Sequence, residues 1–300
     1  MKVLVTGANG QLARSLVERA SYRRHIELVA LGRPRLDLAQ KGSASSAIEG
    51  IRPDIVINTA AYTAVDQAED EPQLALRINA EAAGELAAAA ASIGAPIIQV
   101  STDYVFDGRS KEPYREDSPT HPLGVYGATK LAGEDRVRAA NPRHAIIRTA
   151  WVYSPFSKNF VRTIIEAARA RDVLTVVDDQ LGSPTSALDL AEGLMRIVET
   201  WKESPQLELG ETFHLAGSGV ASWYGVAEFI MSECHKHCLD TAKVLPIRTA
   251  DWPTKALRPA NSVLDSRKFE AAFGFAMPAW RESMSDVVDR LADEAAALRG

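Results

Sequence analysis

Hydrophobic positions in the first half of the chain fall in short, nearly continuous runs, separated by longer stretches where apolar residues recur every three or four places. The runs at 2–6, 26–31, 54–58, 96–100 and 145–149 are rich in branched side chains and predict strands buried on both faces. Between them, the pattern predicts a helix entered at about residue 11 and running to about 20, an unbroken alanine-rich helix over 74–93, and a helix over 125–140. Strands alternating with helices in this way predict a doubly wound parallel sheet. Pro113, Pro119 and Pro122 exclude regular helix between 111 and 123, which reads as a loop. Beyond residue 150 the alternation loosens. Helices are expected over 159–171 and 187–200, strands over 174–177 and 212–215, a polar loop over 178–185, and a smaller mixed lobe in the remainder. We therefore expect residues 1–150 with 174–216 to form one domain, 151–173 with 217–300 to form the second lobe, and a cleft to lie between them.

Polar residues gather where the predicted strands end. Gly7-Ala8-Asn9-Gly10-Gln11-Leu12-Ala13 lies directly between the first strand and the first helix. Glycines at such a turn let backbone amides approach a pyrophosphate at the positive end of the helix, so Gly7, Asn9, Gly10, Gln11 and Leu12 are candidates to bind a dinucleotide, and the fold is expected to be Rossmann-like. The spacing is G-x-x-G-x-x-A, with Ala13 where close helix packing would otherwise favour a third glycine. Arg33 follows the second strand, at the position that decides between the ribose of NAD and the extra phosphate of NADP. NADPH or NADH is therefore expected, with Asp37 and Leu38 flanking the adenine. After the third strand, Ala60, Ala61 and Tyr62 leave room beside a cofactor, and Thr63 is placed to bond a ribose or the substrate.

The fourth strand ends in Ser101-Thr102-Asp103-Tyr104, and Tyr126 and Lys130 follow on one face of the predicted 125–140 helix. An ammonium beside a phenol favours the phenolate, and a phenol tuned in this way is suited to protonating a carbonyl oxygen as hydride reaches carbon. Trp151 leaves the end of the fifth strand, where its ring is placed to stack on a sugar or base.

Composition narrows the partners. Of 300 residues, 46% are hydrophobic and 24% charged, as in an ordinary globular protein. A net charge of -5 argues against general affinity for nucleic acid or an anionic membrane. No apolar run reaches the length needed to span a bilayer, and no signal-peptide pattern precedes the first strand, so a cytoplasmic protein is expected. The two cysteines, Cys234 and Cys238, flank His235 and His237. On a helix the thiols share a face that the histidines do not, so no metal site is expected there.

The ordered set formed by residues 7–13, 60–66, 101–108, 126–134, 148–153, 179–185 and 258–262 resembles the extended short-chain dehydrogenase/reductase superfamily and, within it, the dTDP-4-dehydrorhamnose reductases. The resemblance implies reduction of the C4 ketone of dTDP-4-dehydro-6-deoxy-L-mannose, with Thr102 and Tyr126 bonding the substrate carbonyl and Lys130 holding the nicotinamide ribose. It counts Asp103 with Thr102, Tyr126 and Lys130 as catalytic, makes Asp103, Tyr104, Val65, Trp151 and Asn159 candidates to contact the sugar, and makes Arg258 a candidate for the substrate pyrophosphate. Related dehydratases carry a glutamate where Tyr104 stands, which favours simple reduction here. Some members join as dimers through a glutamate-bound metal, but Ser15 occupies the corresponding stretch, so no metal is expected and the chain is taken as a monomer or homodimer. Two alternatives remain: a non-catalytic regulatory subunit like that of methionine adenosyltransferase, and a reductase or epimerase of another nucleotide sugar.

Overall fold

The computed structural model describes residues 1–297. In chain order the strands are β1 (Lys2–Thr6), β2 (Glu27–Leu31), β3 (Ile55–Asn58), β4 (Ile97–Thr102), β5 (His144–Thr149), β6 (Val152–Tyr153), β7 (Val173–Val177), β8 (Leu181–Gly182), β9 (Thr185–Ser186), β10 (Glu211–His214), β11 (Ala221–Ser222) and β12 (Lys243–Ile247). The helices are α1 (Gln11–Ser21), α2 (Ser43–Ile51), α3 (Val65–Ala68), α4 (Pro72–Leu76), α5 (Ala82–Ser92), α6 (Val125–Ala140), α7 (Phe160–Ala168), α8 (Ala187–Glu203), α9 (Trp223–Lys236), α10 (Arg267–Phe273) and α11 (Trp280–Ala297).

Six strands form one parallel sheet in the order β10-β5-β4-β3-β1-β2. Side-chain alternation along each strand explains why both faces are covered. Val3 and Val5 pack on one side with Leu16 of α1 and Leu190 and Leu194 of α8, while Leu4 packs on the other with Ile48 of α2 and Leu86 of α5. Val56 and Ile57 divide between the two layers in the same way. Each such side chain contributes roughly 2 kcal/mol on burial. The two layers, not the loops, therefore fix the carboxyl edge of the sheet. Because β1 lies between β2 and β3, the chain reverses direction across the sheet at β1, and the carboxyl ends of β1 and β3 flank the crevice where ligands of such sheets bind.

The second lobe has its own core, in which α7, α9 and α11 pack around Ile164, Ile230, Trp280 and Val288. Three expectations are corrected by this arrangement. β7 pairs with β12 in a two-stranded parallel sheet, and Leu174 and Val176 belong to the second core, so residues 174–177 leave the nucleotide domain in which they were expected. Conversely, Phe269 and Met277 are buried in the first core, so part of the 217–300 stretch returns to the large sheet. The helix expected over 74–93 is also not continuous. A π-helical turn, Arg77–Glu81, joins α4 to α5 and directs Asn79 inward, where its carboxamide bonds the backbone of Tyr62 on both its oxygen and nitrogen.

Cys234 is buried on α9, where burial pushes its thiol up to about 11, and Cys238 is exposed beyond the helix end. Among the described residues no cluster of three His, Cys, Asp or Glu side chains is placed to hold a metal, and no helix is long and apolar enough to cross a membrane.

Candidate active site

A cleft of about 960 Å³ runs along the carboxyl edge of β1, β3 and β4. At one end lies the glycine turn. Gly7 adopts φ +76°, and a Cβ on it would come within 3.1 Å of the Ala60 backbone, so the turn hugs the end of β3 in a way that only glycine allows. Thr6 braces this junction: its hydroxyl accepts from Thr59 N at 3.1 Å and Ala60 N at 3.0 Å and donates to Asn58 Oδ1 at 2.6 Å. Gly10 caps α1, whose first turn carries no acidic residue, so the positive end of the helix faces the cleft unopposed. These features suit a dinucleotide pyrophosphate. Gln11, Leu12, Arg33, Asp37, Leu38, Ala61 and Tyr62 line the same cleft, as do Asn9 and Ala60.

At the other end, β4 delivers Thr102, Asp103 and Tyr104. Thr102 caps the 3₁₀ turn Asp103–Val105, accepting from Tyr104 N at 3.1 Å and donating to Asp103 Oδ1 at 2.9 Å. Helix α6 lies directly on this turn, because Gly127 has no Cβ to strike the Tyr104 carbonyl oxygen. That approach brings the Tyr126 ring edge-to-face with Tyr104, their centroids 5.7 Å apart. Four residues on, Lys130 is buried and donates from Nζ to the Val100 carbonyl at 2.6 Å.

The electrostatics differ from the expectation. Tyr126 is partly open to the cleft, yet desolvation by its walls pushes the phenol up to about 12, with the Thr102 hydroxyl pulling the other way. Lys130 does not depress it; burial instead pushes the ammonium down to about 8, opposed by the Glu134 carboxylate. One of the three ammonium protons is given to the Val100 carbonyl, which anchors Lys130 to the backbone of β4. Burial also raises Asp103 to about 6, partly offset by the Ser262 and Thr102 hydroxyls.

Thr63, Val65 and Trp151 line the cleft, but Asn159 and Arg258 do not. Asn159 caps α7: its Oδ1 accepts from Arg162 N at 3.3 Å and its Nδ2 donates to the Ser154 carbonyl at 2.8 Å, so the carboxamide is used up inside the protein. Arg258 donates to Asp66 Oδ2 at 2.8 Å and to the Ala256 carbonyl at 3.1 Å, tying the 256–258 segment to α3. Several lining residues were not anticipated. Trp223, at the start of α9, stacks on Trp151 at 3.6 Å with the rings 6° from parallel. Trp151 holds φ +47°, a strained conformation for a large side chain that this stacking helps to maintain. Ser157 and Lys158 line the wall facing the glycine turn, Ser157 donating to the Asn9 carbonyl at 2.9 Å.

Residues 1–293 match the model of the family described as RmlD substrate binding domain. The chain is 46% identical over 288 residues to dTDP-4-dehydrorhamnose reductase of Sinorhizobium fredii, covering 96% of this chain and 97% of that protein. Among solved structures, a dTDP-4-dehydrorhamnose reductase of Clostridium acetobutylicum superposes with a TM-score of 0.88 at 40% identity, over 97% of this chain and 99% of that one. One from Bacillus anthracis in complex with NADP superposes with a TM-score of 0.89 at 34% identity, over 96% and 99% of the two chains.

Proposed function

Because the chain belongs to the RmlD substrate binding domain family, we propose that it is a dTDP-4-dehydrorhamnose reductase, converting the C4 ketone of dTDP-4-dehydro-6-deoxy-L-mannose to the alcohol of dTDP-L-rhamnose with NADPH or NADH. The observation that carries the reading is the convergence of Thr102, Tyr126 and Lys130 on the same cleft as the glycine turn. Gly7, Gly10 and the amides opening α1 hold the pyrophosphate, Arg33 and Asp37 border the adenosine, and Lys130 reaches the nicotinamide ribose. When bound, the reduced nicotinamide supplies the hydride.

Thr102 and Tyr126 hold the ketone oxygen between two hydroxyls. As hydride reaches C4, the Tyr126 phenol gives its proton to that oxygen, and the phenolate is stabilised by the Lys130 ammonium and later reprotonated from solvent. A phenol that stays protonated to about 12 in the free protein is in the form this step requires. Asp103, Tyr104, Val65 and the Trp151 and Trp223 pair border the sugar, and Thr63 lies between sugar and ribose. The reaction takes place in the cytoplasm, in a monomer or homodimer, without a nucleic-acid partner.

The test is NAD(P)H oxidation against a panel of 4-keto nucleotide sugars, with Tyr126→Phe as control. We expect turnover with the dTDP sugar and a loss of roughly 10²-fold or more in kcat for the variant, with NADPH binding retained. Oxidation confined to a different nucleotide sugar, or near-normal turnover by the variant, would overturn the reading.

A further inference from the structure

Behind the cleft, on the side of α6 turned toward the sheet, lies a charged cluster that none of the steps above uses. Glu134 is fully buried one turn beyond Lys130. Its Oε1 accepts from Ser101 Oγ at 2.6 Å and Arg148 Nε at 2.9 Å, and its Oε2 from Arg148 Nη2 at 2.8 Å and Arg138 Nη2 at 2.9 Å. A buried ion pair seldom stabilises a fold more than apolar packing of the same volume would, so stability alone is a weak reason for this arrangement. Its position is more telling. The Val100 carbonyl accepts a hydrogen bond from Lys130, and the hydroxyl of the next residue, Ser101, donates one to Glu134, so α6 is pinned to β4 at two consecutive residues just before Thr102.

We propose that Glu134 is a positioning residue for the reduction, keeping the Lys130 side chain charged and fixed against Val100, with Arg148 as the counter-ion that keeps Glu134 ionised. The inference rests on the assignment of Tyr126 and Lys130 as the pair that handles the proton. The titratable groups on Lys130's helix and the neighbouring strands are Tyr126, Glu134 and Arg138 on α6, Asp103 after β4, Arg148 on β5 and His214 on β10 with Glu116 bonded to its backbone; of these, Glu134 is the one whose charge acts on Lys130. Over the alkaline range these neighbours keep their charge: Asp103 titrates near 6, Tyr126 near 12 and His214 near 3. Glu134 is held low by Arg148 and Ser101 against its burial. Lys130, pushed down to about 8 and opposed by Glu134, is the member of this group that changes charge there. It is charged below that value, so removing the carboxylate leaves burial unopposed and the proton is lost at lower pH.

The experiment measures kcat/KM and NADPH dissociation constants from pH 6 to 10, with thermal unfolding alongside, for the wild type, Glu134→Gln, Glu134→Asp and Lys130→Met. We expect Glu134→Gln to move the alkaline limb down by about one pH unit, with NADPH binding weakening in step, whereas Glu134→Asp keeps the limb in place even where its Tm falls. Should Glu134→Gln not fold, the neutral pair Glu134→Gln with Arg148→Met is expected to move the limb down by a smaller amount, because a positive charge leaves with the carboxylate. An unmoved limb in the neutral variants, or equal movement in Glu134→Asp and Glu134→Gln, overturns the role of Glu134 alone. Wild-type turnover and an unchanged limb in Lys130→Met would instead overturn the catalytic assignment, and the role of Glu134 with it.

Discussion

The Lys130 ammonium donates to the Val100 carbonyl at 2.6 Å, although it shares a helix face with the Tyr126 phenol. Anchored in this way, it keeps two further donors for a ribose and brings its charge to the phenol only as the reaction develops negative charge there. Methionine at this position would keep the stem and remove the charge. Val100 would not be orphaned, since Gln99 Nε2 also donates to it at 2.9 Å. Lys130→Met is therefore expected to fold with a Tm at or above that of the wild type, because a buried charge has been removed. Its kcat should fall by roughly 10²-fold or more and its NADPH affinity should drop. Steady-state kinetics with fluorescence titration check both.

Gly7 carries the cofactor end of the site. With φ at +76° and the Ala60 backbone 3.1 Å from any Cβ, Gly7→Ala must either strain the turn or push it away from β3. The left-handed conformation alone costs roughly 1–2 kcal/mol for a residue with a side chain. We expect Tm to fall by a few degrees, and NADPH binding to weaken by about tenfold or more as the amides shift. Calorimetry and titration of the same sample separate the two effects.

Arg33 is exposed at the lip of the cleft and makes no side-chain hydrogen bond or ion pair among the described residues, so its guanidinium is available to a phosphate. A charge-assisted bond of this kind is worth roughly 1.5–3 kcal/mol. Arg33→Ala should weaken NADPH binding by about 10- to 100-fold and leave NADH within about twofold, inverting any preference for the phosphorylated cofactor. An unchanged ratio of the two dissociation constants would show that Arg33 does not read the phosphate.

The sequence carries the large sheet well because each strand's own residues say which layers it needs: Val3, Leu4 and Val5 are all apolar, and only a strand covered on both faces can bury all three. Helix α6 was legible to its ends, since Gly124 precedes it and Asn141-Pro142 follows. β7 was assigned to the wrong lobe because its pattern of buried and exposed residues fits any half-covered sheet, and its partner β12 lies far along the chain. The π-helical turn was invisible for a related reason. Its alanine-rich surroundings suit an α-helix, and the extra residue is accommodated by tertiary contacts, with Asn79 bonding Tyr62 and Thr129. Asn159 did carry a signal that was read differently: an asparagine just before an apolar helical run is a cap. Trp223 had none, because nothing near it in sequence points to Trp151.

The last prediction concerns acid stability and falls on His214, the residue of β10 paired in register with Arg148 of β5. Fully buried, it places Nδ1 3.0 Å from the Tyr114 carbonyl, while Nε2 has no partner, so a second proton would have nowhere to bond. Burial, with Arg148 adding repulsion, holds the imidazole neutral down to about 3. In the unfolded chain it gains a proton near 6.5. Between those values the unfolded state binds more protons than the folded one, so the His214 contribution is fully present above about 6.5 and is lost as pH falls. Between pH 7 and 4.5 the loss is about 2–3 kcal/mol. Asp103 works in the opposite sense, since its raised value makes the folded state the better proton binder between about 4 and 6. Comparing wild type with His214→Asn cancels that contribution, as Asp103 is present in both. Denaturant unfolding at pH 7 and 4.5 should therefore show the wild type losing about 2–3 kcal/mol more than the variant. Equal losses would mean that the imidazole is already protonated inside the fold, with Arg148 displaced to admit it.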